Sequence, residues 1–105
     1  MLYIVHVLID RAAQPQWEPW MRGHHIPEVL ATGCFIQCIM VRDEAADTDS
    51  QLGFRMIYQA HDADAMVRYQ QDHAPALQRD HSERFAGRFA ARRELLKVVE
   101  QFTAP

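Results

Sequence analysis

Positive charge is in short supply in this chain: 11 Lys and Arg face 14 Asp and Glu, giving a net charge of −3. Phosphate binding needs a clustered basic surface, so nucleic acid is not an expected partner, and the six histidines alter that only below about pH 6.5. Glycine is scarce as well, with 4 residues, and neither a P-loop, a Gly-rich dinucleotide fingerprint nor a Ser/His/Asp order occurs. Nucleotide hydrolysis and Rossmann chemistry are thereby set aside. The N-terminal apolar run Leu2 to Ile9 falls short of the ~20 residues that a membrane helix needs, and it carries neither a basic n-region nor a small-residue cleavage site. It reads as a strand of a cytoplasmic protein.

Cysteine is limited to Cys34 and Cys38. On a strand they lie on one face but roughly 13 Å apart, beyond the reach of a disulfide. Free thiols follow. As a metal pair they lack both the turn between them and a second pair. Pro/Ser/Gly tracts and single-sign charge runs are also missing, which argues against a disordered tail. What is present is 105 residues, 49% apolar and 24% charged, enough for one domain spanning 1–105 with its own core.

Leu2 to Ile9 is apolar on both alternating faces, so both must be covered. A helix is expected from about Pro15, with Trp17, Trp20, Met21 and His24 on one face. Pro27 should kink it at Ile26, leaving one short turn before Gly33 stops it. Cys34 to Arg42 and Leu52 to Ala60 read as an antiparallel pair joined by an acidic loop, and a second helix opens near Asp62 with Pro75 interrupting it. The last segment admits two readings. Phe85, Phe89, Arg92, Leu96 and Val99 keep helical spacing among good helix formers, whereas Gly87 and the sheet's need for a closing strand argue the other way. With a final strand the order is that of an α+β, ferredoxin-like βαββαβ protomer: a four-stranded antiparallel sheet with both helices on one face. Its open sheet face would then be covered by a second copy, a homodimer.

The histidines are the candidates for chemistry. His24 and His25 are adjacent, about 100° apart on a helix, and cannot serve one ion; His73 and His81 are on the order of 12 Å apart on theirs. No metal or cofactor is expected. His25-Ile26-Pro27 is echoed by His73-Ala74-Pro75, and in each a histidine could cap the turn that proline disrupts, or face a pocket as a neutral general base. Tyr69, one turn before His73, could complete an acid/base pair. Trp17, Trp20 and Met21 read as core, with an aromatic pocket wall as the alternative. Arg84, Arg88, Arg92 and Arg93 read as a solvated or ion-paired surface, with an anion contact as the alternative.

Trp20 through His25-Ile26-Pro27 to Gly33-Cys34-Phe35 resembles the corresponding run of EthD-like proteins in the dimeric α/β-barrel superfamily. Nearly the whole chain, through "HIPEVLATGCF" and "HAPALQRDHSERF", is similar to a small bacterial family catalogued as domain of unknown function 4286. The resemblance implies a ferredoxin-like protomer paired into a dimeric α/β barrel, with Arg88 to Val99 as the fourth strand. It also implies ligands between helices and sheet. The superfamily spans cofactor-independent monooxygenases, haem-degrading enzymes, polyketide cyclases, decarboxylases and proteins with no known activity, so fold leaves open whether this chain is an enzyme.

Two functions are weighed. In one, a homodimer binds a compact apolar, aromatic or polyketide-like compound in a pocket lined by Trp20, His24 or His25, Tyr58, His73 and His81, with His25, His73 and Tyr69 as candidates for proton transfer or cofactor-independent oxidation. In the other, a non-catalytic dimerisation or regulatory module uses its histidines structurally. A pocket of about 300 Å³ or more with two imidazoles in its wall favours the first; a solid core favours the second.

Overall fold

Strands β1 (Leu2–Asp10), β2 (Phe35–Arg42), β3 (Gln51–Ala60) and β4 (Phe89–Leu96) form one antiparallel sheet in the order β2-β3-β1-β4, in a computed structural model that describes residues Met1–Pro105. This is the ferredoxin-like βαββαβ arrangement. Tyr3 stands opposite Tyr58 and Leu95, Val5 opposite Met56 and Arg93, and Val7 opposite Phe54 and Ala91. Side chains alternate along strands, so these rows share one face. Over it lie two helical arms, and Tyr3, Val7, Ile9, Phe54, Met56 and Tyr58 are buried beneath Trp17, Met21, Val29, Met66 and Tyr69.

The final segment is a strand, within the range implied by the resemblance and against its helical periodicity. Its backbone pairs along the free edge of β1 from Leu2↔Leu96 to Ile9↔Phe89. A central strand with one edge unpaired would leave a row of enclosed N–H and C=O groups, and satisfying them outweighs the few tenths of a kcal/mol per residue at stake in propensity.

Each helical arm is built in three pieces. The first joins α1 (Gln14–Trp20), a π-turn at Met21–His25 and α2 (Ile26–Ala31); the second joins α3 (Ala63–Arg68), a π-turn at Tyr69–His73 and α4 (Ala74–Arg84). The kink expected at Ile26 does not form there, since Ile26 keeps helical angles of φ −61 and ψ −45. Proline has no N–H to give and crowds the carbonyl four residues back. The helix widens instead: Ile26 N–H bonds to Met21 O and Ala74 N–H to Tyr69 O, each five residues back. In the second arm the distortion concentrates at His73, with φ −125.

The widened turn also explains the burial pattern. Ala13, Trp17, Met21 and Val29 are buried and His25 falls on the same four-residue repeat, which would drift about 40° per step around a regular α-helix. The π-turn takes up part of that drift. Asp62 starts the second arm by accepting a 2.7 Å bond from Ala65 N–H. Gly33, at φ 77, ends the first arm in the left-handed region that other residues avoid.

The opposite sheet face carries an apolar row, Ile4, Ile57 and Ile39, across three strands. Chain 97–105 crosses one end of this face beside Leu2 and Ile39, and the acidic turn Glu44–Ala46 covers the other. Cys34 and Cys38 are free thiols. No helix is long and apolar enough to cross a membrane.

The turn is pinned over Gly53, whose N–H donates to Asp47 Oδ1 at 2.7 Å while Arg42 donates to its carbonyl at 2.7 Å. A Cβ at Gly53 would press on the Asp43 carbonyl oxygen and stand 2.9 Å from Ala46 Cβ. Gly53→Ala should therefore cost about 1–3 kcal/mol in urea unfolding, as overpacking does. A change within about 0.5 kcal/mol would show that the turn yields freely.

Candidate functional site

Between the arms and the sheet lies a cavity of about 30 Å³, lined by Tyr3, His25, Tyr58, Tyr69, His81 and Arg93 among others. That is the space of about one water molecule. Tyr3, Gln78 and Arg93 also line an outer cleft of about 270 Å³ beside α4 and β4, together with Gln70, Glu94 and Leu95, so the three shared side chains form the boundary, or neck, between the two spaces.

His81 is fixed by Trp17. The fully buried indole donates its Nε1–H to His81 Nε2 at 2.9 Å. An indole nitrogen can only donate, so Nε2 is the acceptor and the neutral ring carries its proton on Nδ1. His25 lies 5.6 Å from His81, centroid to centroid, and stacks on Trp20 at 5.1 Å. Its Nδ1 is enclosed without a partner, as is the Nε1 of Trp20. Neither His25 nor His73 caps its helix. The capping role that would make both histidines structural is therefore not realised.

Burial pushes His25 and His81 down to about 4, with Asp80 opposing and Arg93 reinforcing the shift. Both rings are neutral at pH 7, and of the two only His25 keeps a ring nitrogen without a partner. Tyr58 and Tyr69 are pushed well above the ordinary phenol range, mainly by burial, and Tyr3 is raised by burial with Arg93 and Gln78 partly offsetting it. These hydroxyls remain protonated donors. Phe35 ties the tyrosines together, 5.1 Å from Tyr58 and 4.8 Å from Tyr69.

The other candidates lie elsewhere. His24 turns outward and pairs with Glu28 at 3.0 Å. Asp80 from α4 completes a group of three ligand atoms within 4.8 Å, the one place where a divalent ion finds a His/Glu/Asp set. Its side chains are largely solvated, and the His24–Glu28 contact is also an ordinary i,i+4 helix pair. His73 lines a separate shallow groove with Glu28, Thr32 and Leu77, its ring 6.4 Å from Tyr69. The His-x-Pro echo thus yields one cavity histidine, not two, and the second imidazole is His81.

Tyr3, Gln78 and Arg93 belong to the cavity without having been singled out as pocket residues. For Tyr3 the signal is its alternation with Leu2 on a two-sided strand. For Arg93 it is strand alternation through Phe89 and Ala91, which becomes visible only once the last segment is read as a strand.

Folded, the two imidazoles sit near 4, against 6.5 for an exposed histidine. The unfolded chain therefore binds more protons between those values, and stability should fall as pH drops through that window. The loss should be on the order of 1–2 kcal/mol per histidine after allowing for partial solvent access. Urea titrations at pH 7 and pH 4.5 read it. His25→Leu should remove about half of the histidine contribution, and an unchanged pH slope in that variant would count against a buried neutral His25.

Among curated proteins none matches the chain. Solved structures do. HapK from Hahella chejuensis superposes with a TM-score of 0.69 at 12% identity, covering 100% of both chains. An ethyl tert-butyl ether D (EthD) family protein from Bacillus halodurans gives 0.60 at 13% identity, covering 92% of this chain and 100% of its own. A Deinococcus radiodurans protein provisionally classed as an antibiotic biosynthesis monooxygenase gives 0.57 at 10% identity, with 99% and 100% covered. At such identities the likeness establishes the fold alone, the four-stranded antiparallel sheet with its helices on one face. The family model for the domain of unknown function DUF4286 matches residues 1–99, and the chain belongs to that family.

Proposed function

We propose that this is a bacterial, cytoplasmic homodimer that binds a compact aromatic or polyketide-like compound between its helices and sheet and moves a proton on it without a cofactor. The observation that carries the reading is the pair of neutral imidazoles, His25 and His81, on one cavity with tyrosine hydroxyls opposite. His25, with a free Nδ1, takes the part of general base. Tyr69 is the donor on the facing wall, and Trp20 buttresses His25 from behind. The ligand body occupies the outer cleft and sends one polar group through the neck. His24 and His73 stand outside this site.

The small interior favours the competing reading, a non-catalytic dimerisation module. A cavity of about 30 Å³ is far below the roughly 300 Å³ at which ligand pockets begin. Native mass spectrometry of protein from its own host separates the two. A retained small molecule that is lost in Tyr69→Phe/His25→Leu protein supports binding. Apo protein throughout, with no small molecule protecting it against thermal unfolding, supports the module.

Dimerisation through the open sheet face is supported by the Ile4–Ile57–Ile39 row and by the fold's kinship with dimeric barrels. A net charge of −3 supports leaving nucleic acid out of the proposed partners. Light scattering at micromolar concentration should give about twice the 12.2 kDa of one chain, and Ile57→Glu should return the monomer mass. A wild-type monomer would overturn the dimer.

A further inference from the structure

Arg93 occupies a position where the sheet calls for an apolar side chain. It lies opposite Val5, between Ala91 and Leu95, on the face that β1 and β3 turn toward the helices. Its side chain borders the cavity but is itself exposed, so the guanidinium keeps its hydration at the mouth while its stem covers the apolar wall. Arg93 has no carboxylate partner: the arginines held in ion pairs are Arg22, Arg42, Arg55 and Arg92, and Arg84 lies 5.0 Å over the Trp20 ring. Its neighbour Glu94 is held by His6 and Arg92. Those residues alternate to the opposite sheet face, with Glu94 also reaching the border of the outer cleft.

What surrounds Arg93 is rich in donors. Tyr3 and Gln78 share the neck with it, Gln70 and the His6-paired Glu94 border the outer cleft, and Tyr69 lies on the cavity side. Arg93 is also the one cation whose charge reaches Tyr3, Tyr69, His25 and His81 alike. A guanidinium fork flanked by a hydroxyl and a carboxamide matches an anionic oxygen better than any neutral group.

We propose that Arg93, with Tyr3 and Gln78, is the anion-recognition point of the pocket, and that the ligand is a compact aromatic acid or enol bound through its carboxylate or enolate oxygen at the neck. This rests on the pocket reading given above and narrows its ligand class. It also fits the chemistry there: a cation beside a neutral base stabilises the enolate left when a proton is taken from carbon adjacent to a carbonyl, the proton going to the base and the electron pair to oxygen.

Calorimetric titration of the full chain with benzoate, its neutral isostere benzamide, and 2,4-dinitrophenolate as an enolate-like anion tests the proposal. One or both anions should bind at least about tenfold more tightly than benzamide, which anion prevails telling carboxylate from enolate recognition. Arg93→Met should bring that preference within about twofold, and Arg93→Lys should keep part of it. Arg93→Gln serves as a second neutral variant if Arg93→Met does not fold. Equal binding of anions and benzamide, or an anion preference that survives loss of Arg93, overturns the assignment and leaves the pocket reading standing. Failure of all three to bind at about 10 mM, while the protein from its host carries a retained molecule, overturns the anion assignment alone; failure together with an apo protein overturns both.

Discussion

A proline inside a helix withholds one hydrogen bond and crowds the turn before it, and both helical arms are shaped by that constraint. Pro27 and Pro75 each follow a π-turn in which the bond spans five residues. The extra width keeps the chain helical through the proline and resets which residues point at the sheet. His24 consequently faces solvent and Glu28, while His25 reaches the cavity. In the second arm Tyr69 is buried at the start of its π-turn, and α4 then continues for 11 residues, long enough to bring Gln78 and His81 over the same cavity. Without the widened turns the four-residue repeat of the first arm would spiral away from the sheet.

The polar groups so gathered are expensive to keep. An enclosed donor or acceptor left unpaired costs on the order of 1–3 kcal/mol, and His25 Nδ1 and Trp20 Nε1 are both in that condition. A core selected only for stability would hold Leu or Phe at such positions. His81, by contrast, is satisfied through Trp17, which packs at 4.9 Å on Phe54 and thereby links both arms to the middle of the sheet. One imidazole is thus a strut and the other is free, a division that on the proposed reading gives His25 the part of base and His81 that of its support.

Much of this was legible in the amino-acid order. The two-sided first strand announced a covered sheet, the acidic loop separated two strands, and the His-x-Pro units marked the sites of helical irregularity. Other features were hidden for physical reasons. Residues 85–99 carry a true helical periodicity that backbone pairing to β1 overrides, and under that periodicity Arg92 and Arg93 fall together on a surface. As a strand they separate, Arg92 to the open face and Arg93 to the cavity. The proline echo likewise suggested equivalent histidines, but equivalent backbone positions lie over different parts of the sheet, so His25 meets His81 whereas His73 meets the end of α2.

β4 is where the two halves of the functional reading meet. Its inward residues, Ala91 and Arg93, line the cavity. Its outward residues, Arg92 and Glu94, form a charged cluster with His6 beside the apolar row of the open face. In that cluster His6 is a shared partner of Glu94, which it holds below the usual carboxylate range. A second copy packed on this face would remove the cluster from water and strengthen those pairings. Order imposed on Arg92 and Glu94 is order imposed on Arg93 between them, since a strand's backbone cannot be fixed on one face and free on the other. Assembly of the sheet face and definition of the anion-binding neck are on this account consequences of the same eight-residue strand.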